Sequence, residues 1–183
     1  ALWGGTMNTL YQELAERIRG EMADMEHVVQ RALRAWSQAQ KVSEGQDIYL
    51  DSVALNLHGF YSGVERLFEL IARHVDGTLP AGETWHRDLL QQMAQDVADV
   101  RPAVIDQDSS LALDEFRRFR HVVRNVYTIN LVPDKMVGLI LALPGLWTQL
   151  FAELLAFAEF LEELATTAEV SDSEQRGSGD FVD

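Results

Sequence analysis

No cysteine occurs in the 183 residues, which excludes a disulfide framework, a thiolate metal site and a cysteine nucleophile. Such a chain suits a reducing compartment, and we expect the cytoplasm. Proline is scarce, with four in all, and β-branched residues rarely alternate with polar ones, so strand signals are weak. Positive charge is also short: 15 Lys and Arg stand against 29 Asp and Glu, a formal net charge of -14. That balance repels a phosphate backbone at long range and excludes binding of nucleic acid through an extended basic face. Any RNA contact must be local.

What the chain has in quantity is helix-forming sequence. With 47% hydrophobic residues it is long and apolar enough for one domain with a sizeable core. Met7, Leu10, Leu14, Ile18, Met22, Met25, Val29, Leu33 and Trp36 recur at three- and four-residue steps, predicting an amphipathic helix from Met7 to Lys41. Gly20 lies inside it, and a close helix contact would explain a glycine there. A second helix is expected from Ile48 to Val75, ended by Gly77, Pro80 and Gly82, and a third over "ETWHRDLLQQMAQDV". "RPAVIDQDSS" reads as a connector, with Asp108 to Ser110 as N-caps for a fourth helix reaching Thr128. Pro133 opens a fifth, which Pro144 and Gly145 should kink or split before Ala165. The fold class is all-α, an antiparallel bundle of about five helices. Residues 1–6 read as a cloning remnant or flexible leader, 7–166 as a single helical domain, and 167–183 as a disordered acidic tail.

The run "MVGLILALPGLW" resembles a membrane span in hydropathy, but Pro144, Gly145 and Gln149 interrupt it and Glu153 follows. It is read as a core or dimer-facing helix, and no membrane is expected.

The scarce positive charge is not spread evenly. Arg117, Arg118, Arg120 and Arg124 fall within eight positions of the fourth helix, together with His121. At helical spacing they form a basic edge beside the apolar stripe of Phe116, Phe119 and Val123. A guanidinium fork suits a phosphate, because it donates paired hydrogen bonds and stays charged. The same edge equally suits salt bridges to neighbouring carboxylates.

The stretch "FRHVVRNVY", Phe119 to Tyr127, resembles the motif of HepT-like toxins in the HEPN superfamily. There an arginine is followed by a histidine after four to six intervening positions, and a tyrosine stands two residues beyond. Arg120, Asn125 and Tyr127 match that spacing, with asparagine where the histidine usually stands. "LNLHGFYSGVERLFELIARHVDGTLPAGETWHRDLLQQM" and "FRRFRHVVRNVYTINLVPDKM" extend the resemblance over most of Leu55 to Met136. It implies a HEPN bundle, usually a homodimer whose motif helices line one cleft. It also implies metal-independent cleavage of RNA by attack of the ribose 2′-hydroxyl on the adjacent phosphate, with no cofactor.

By this resemblance Arg120 is the phosphate-binding residue, with Arg124 in support. Asn125 hydrogen-bonds but does not titrate, so cleavage is weakened or another group moves the proton. His121 is the nearest candidate, although it points about 100° away from Arg120 around the helix; its other reading is a histidine at a helix interface or on the surface. Glu65, in "GVERLFE", is a carboxylate placed to orient Arg120 across the bundle, or else an ordinary ion-pair residue. Tyr127 matches the tyrosine that a nucleotidyltransferase antitoxin of the minimal (MNT) type modifies in the HepT branch, or is a tyrosine at the core's edge. The competing function is a non-catalytic HEPN-like dimeric module that binds a partner protein. No metal-ligand spacing, phosphate loop or serine triad is present.

Overall fold

A computed structural model describes residues 7–125 and 133–177, and the architecture is all-α. Among the described residues five helices form a bundle: α1 (Met7–Ala39), α2 (Gln46–His74), α3 (Trp85–Met93), α4 (Gln107–Asn125) and α5 (Pro133–Gly177). The two longest flanking helices, α1 and α5, pack on each other, and α1 also runs along α2. Helix α4 crosses α2 and α5, and the short α3 bridges α2 and α4.

α2 is the central element, touched by all four others. Its buried residues therefore spread around most of its circumference, from Val53 and Asn56 through Phe60, Tyr61, Val64 and Glu65 to Ile71 and Ala72. Edge-on aromatic contacts from Phe60 reach Phe116 of α4 (centroids 5.4 Å) and Trp147 of α5 (6.0 Å), so one ring joins three helices. At the outer seam Trp147 donates its indole N–H to Glu26 of α1. Arg19 of α1 makes a two-point bond to Glu162 of α5, at 2.9 and 3.2 Å.

Several expectations are corrected. Gly20 is exposed, and a Cβ there would meet nothing within 4 Å, so it marks no close contact. The close approach is at Gly63, where a Cβ would lie 3.1 Å from Cγ and 3.3 Å from Sδ of Met25. Pro144 does not split α5, which runs unbroken through it, and the helix continues to Gly177. Thr148 donates its hydroxyl to the Pro144 carbonyl at 2.9 Å. α4 begins earlier than Asp108: Asp106 accepts the backbone N–H of Ser109 at 2.7 Å and acts as its N-cap. α3 ends at Met93, because the chain then turns sharply and Val97 bonds Arg101 in an isolated bridge.

That turn is held by a buried ion pair. Arg101 Nε and Nη2 donate to the two carboxylate oxygens of Asp76 at 2.6 and 2.7 Å, with side-chain exposures of 0% and 2%. The remaining guanidinium donors reach the carbonyls of Gln92, Gln95 and Pro102. Gln92 Nε2 adds a 2.6 Å bond to Asp76. A charge this deep is tolerated only when its partners are complete, and here they clamp the end of α3 to the end of α2. The connector "RPAVIDQDSS" is thus an anchored element.

The apolar stretch Met136–Thr167 is long and apolar enough to cross a membrane, yet 39% of its most apolar window is buried inside the bundle. Ile140, Leu143, Leu150, Leu154 and Leu161 form that buried side. Core helices meet the same condition of length and hydropathy.

Candidate active site around Glu65

α4 turns Ser109, Leu113, Phe116 and Phe119 into the core, and this spacing leaves Arg120 at the edge of the buried face. Its guanidinium extends to α2, where Nη1 bonds Glu65 Oε1 at 2.8 Å. The pair is mostly withdrawn from water, with side-chain exposures of 20% for Arg120 and 5% for Glu65. Nε of Arg120 is buried and has no hydrogen-bond partner among the described residues.

The second oxygen of Glu65 is also occupied. Oε2 lies 2.7 Å from Nδ1 of His86, the second residue of α3. A carboxylate that accepts from a guanidinium accepts from the imidazole as well, so Nδ1 carries a proton directed at Glu65. The ring of Trp85 covers His86, with centroids 3.6 Å apart and planes tilted by 31°. Arg120, Glu65 and His86 thereby form one connected set drawn from α4, α2 and α3.

Electrostatics around the set are mixed. Tyr61, one turn before Glu65, has its phenol pKa raised, chiefly by burial and then by the Glu65 charge, with Arg117 and Arg120 opposing. Burial works against ionisation of Asp114, but the hydrogen bond and charge of Arg117, with the charge of Arg118, outweigh it and hold the carboxyl below its ordinary range. Arg117 bonds Asp114 at 2.6 Å. Arg118 reaches Asp114 at 2.7 Å and Glu115 at 3.3 Å. Much of the basic edge is therefore neutralised by carboxylates of its own helix, whereas Arg120 alone of these three reaches across to α2.

Of the residues expected from the sequence, Arg120 and Glu65 are brought together. His121 is exposed on α4. The side chains of Arg124 and Asn125, and the whole of Tyr127, lie outside the described residues. His86 was not among the expected residues. Its only advance signal is its position inside the stretch that carries the HepT resemblance, because nothing in local periodicity relates "TWHRD" to Glu65, 21 positions earlier. Among the described residues no three His, Asp or Glu side chains converge as a metal site would require.

No curated protein and no solved structure matches the chain. A family model described as HepT-like protein matches residues 52–161, a span that includes Glu65, His86, Arg120 and Asn125. By that match over more than half of its length, the chain belongs to the HepT-like protein family.

Proposed function

We propose that this HepT-like chain is the toxin of a toxin–antitoxin pair, a metal-independent endoribonuclease acting in the cytoplasm as a homodimer. The observation that carries the reading is the Arg120–Glu65 pair. A buried carboxylate holds one edge of the motif arginine at 2.8 Å and fixes its direction, while Nε is left without a partner among the described residues. A guanidinium preorganised in this way stabilises the charge that builds on a phosphate during attack by the 2′-hydroxyl. Asn125, at the place of the usual histidine, supplies a hydrogen bond but no proton, so turnover is slow for the family. Arg124 adds charge, and Tyr127 is the site where an MNT-type nucleotidyltransferase would attach nucleotide to silence the toxin.

The homodimer is supported by the surface of α4 and α5. A groove lined by Ala112, Phe116, Phe119, Leu139 and Ala142 opens beside the motif helix, near the exposed Leu111 and Leu141. A second copy seated there would bring two motif helices together.

Induced expression tests the reading: the wild-type chain arrests growth, Arg120→Ala relieves the arrest, and Asn125→His deepens it. Normal growth with wild type and Asn125→His alike would contradict it. Intact mass after co-expression with a nucleotidyltransferase encoded beside it reads the regulatory half, as nucleotide adducts that Tyr127→Phe removes.

One set of contacts favours the alternative, a non-catalytic module that binds a partner protein. Arg117 and Arg118 are paired to Asp114 and Glu115 on their own helix, as in a structural salt-bridge edge. In that case the partner complex survives Arg120→Ala and no RNA is cut.

A further inference from the structure

We propose that His86 is the proton-transfer residue of this site, taking the role that Asn125 cannot fill. The inference rests on the ribonuclease reading and adds to it a catalytic group on a different helix from the motif.

Three observations converge on it. Glu65 accepts from His86 Nδ1 at 2.7 Å, which orients the ring and leaves Nε2 as the nitrogen available for proton exchange. The His86 side chain keeps 27% of its exposure, so solvent reaches the residue. The same carboxylate grips Arg120 through its other oxygen, so the acceptor and the phosphate-binding cation are held in fixed relation, one carboxylate apart. Trp85 against the ring and the Arg101–Asp76 clamp at the far end of α3 hold the imidazole in place. A histidine held by a carboxylate next to a cation is the arrangement that acid–base chemistry on a phosphodiester requires.

The step balances without another reagent. Nε2 takes the proton from the ribose 2′-hydroxyl as O2′ forms its bond to phosphorus. The resulting imidazolium gives that proton to the 5′-oxygen as the P–O5′ bond breaks. Arg120 faces the non-bridging oxygens throughout. The products are a 2′,3′-cyclic phosphate and a 5′-hydroxyl end, and the histidine returns to its starting form.

The test is a pH–rate profile on a single-stranded RNA oligonucleotide in EDTA, between about pH 5 and 9, for wild type, His86→Gln and Arg120→Ala. Tyr61 of α2, one turn from Glu65, feels the charges of Glu65, Arg117, Arg120 and Asp114, and Arg87 and Asp88 follow His86 on α3. A limb of the profile that His86→Gln abolishes and Arg120→Ala keeps reports this imidazole. His86→Gln is expected to lower kcat by about 100-fold or more with little change in KM, and to abolish the limb. Arg120→Ala is expected to lower activity and keep the limb. If His86→Gln cleaves at the wild-type rate with the limb intact, while Arg120→Ala is inactive, the role of His86 is overturned and the ribonuclease reading stands. If wild type leaves RNA intact, both fall.

Should His86→Gln fail to fold, imidazole resonances of the wild-type protein give the second measurement. A ribonucleoside 3′-monophosphate, which keeps the 2′-hydroxyl beside a phosphate, should displace the His86 Nε2 signal, and an unmoved signal overturns the proposal.

Discussion

Glu65 and His86 stand 21 positions apart on different helices, and 2.7 Å separates Oε2 of one from Nδ1 of the other. With Arg120 on the remaining oxygen, a single buried carboxylate is the point where α2, α3 and α4 meet. Replacing Glu65 with alanine strands a guanidinium and an imidazole that keep only 20% and 27% of their exposure. We expect a loss of about 3 kcal/mol, read as a lower denaturant midpoint. Glu65→Gln keeps the shape and loses the charge, so it should fall between wild type and Glu65→Ala. Equal stability of all three would show that the carboxylate holds nothing.

The Arg101–Asp76 pair is the deepest charge pair among the described residues and fixes α3 against α2. Arg101→Ala should cost about 3–5 kcal/mol, because Asp76 would be left buried without its cation. Arg101→Met combined with Asp76→Leu should cost less than Arg101→Ala alone, since it removes both charges. Urea denaturation of the two variants makes the comparison.

Two glycines on packed helices should respond in opposite directions. At Gly20 an added methyl meets nothing within 4 Å, so Gly20→Ala should stabilise by about 1 kcal/mol through helix propensity. At Gly63 the first added carbon already lies 3.1 Å from Met25, so the two further methyls of Gly63→Val should cost about 1–3 kcal/mol. Thermal melts of both variants decide it.

Asp114 links stability to acid. Its folded-state pKa lies below the ordinary 3.8, so its contribution is fully present above that value and is lost as pH falls through the lower, folded value. Stability should therefore drop with falling pH below about 4, and Asp114→Asn should flatten that part of the profile. An unchanged acid limb in the variant would assign the loss to other carboxylates.

Much of the fold was legible in the sequence, because an amphipathic helix writes its buried face at three- and four-residue steps. Leu14, Ile18, Met22 and Val29 on α1 are buried as that spacing requires. Helix ends were less legible, since α3 stops where a tertiary ion pair takes over and α5 continues where proline statistics would have divided it. The site divides along the same line. Arg120 stood out through charge contrast and motif resemblance, which are local signals. His86 owes its place to the packing of α3 across α2, and Arg101 was hidden in a segment that reads as a connector, so neither could be found from neighbours in sequence. Gly63 was missed for the same reason: only the approach of Met25 from another helix distinguishes it from Gly20.

The proposed homodimer has a direct check. Leu141 is 67% exposed on α5 beside the groove that borders α4, and Leu141→Glu would place a charge in an apolar contact between two copies. Sedimentation should show a dimer for wild type and a shift toward monomer for the variant. A wild-type monomer at micromolar concentration would remove the cleft formed by two motif helices from the account.

The central claim is that Arg120, held by Glu65, supports RNA cleavage by the neighbouring 2′-hydroxyl. End analysis of an oligoribonucleotide incubated with purified protein in EDTA measures this most directly, with a matched substrate carrying 2′-deoxyribose at the cut position. The account predicts 2′,3′-cyclic phosphate ends from the first substrate, none from the second, and a loss of about 100-fold or more in Arg120→Ala. Cleavage of the 2′-deoxy substrate, or equal rates for wild type and Arg120→Ala, would contradict it.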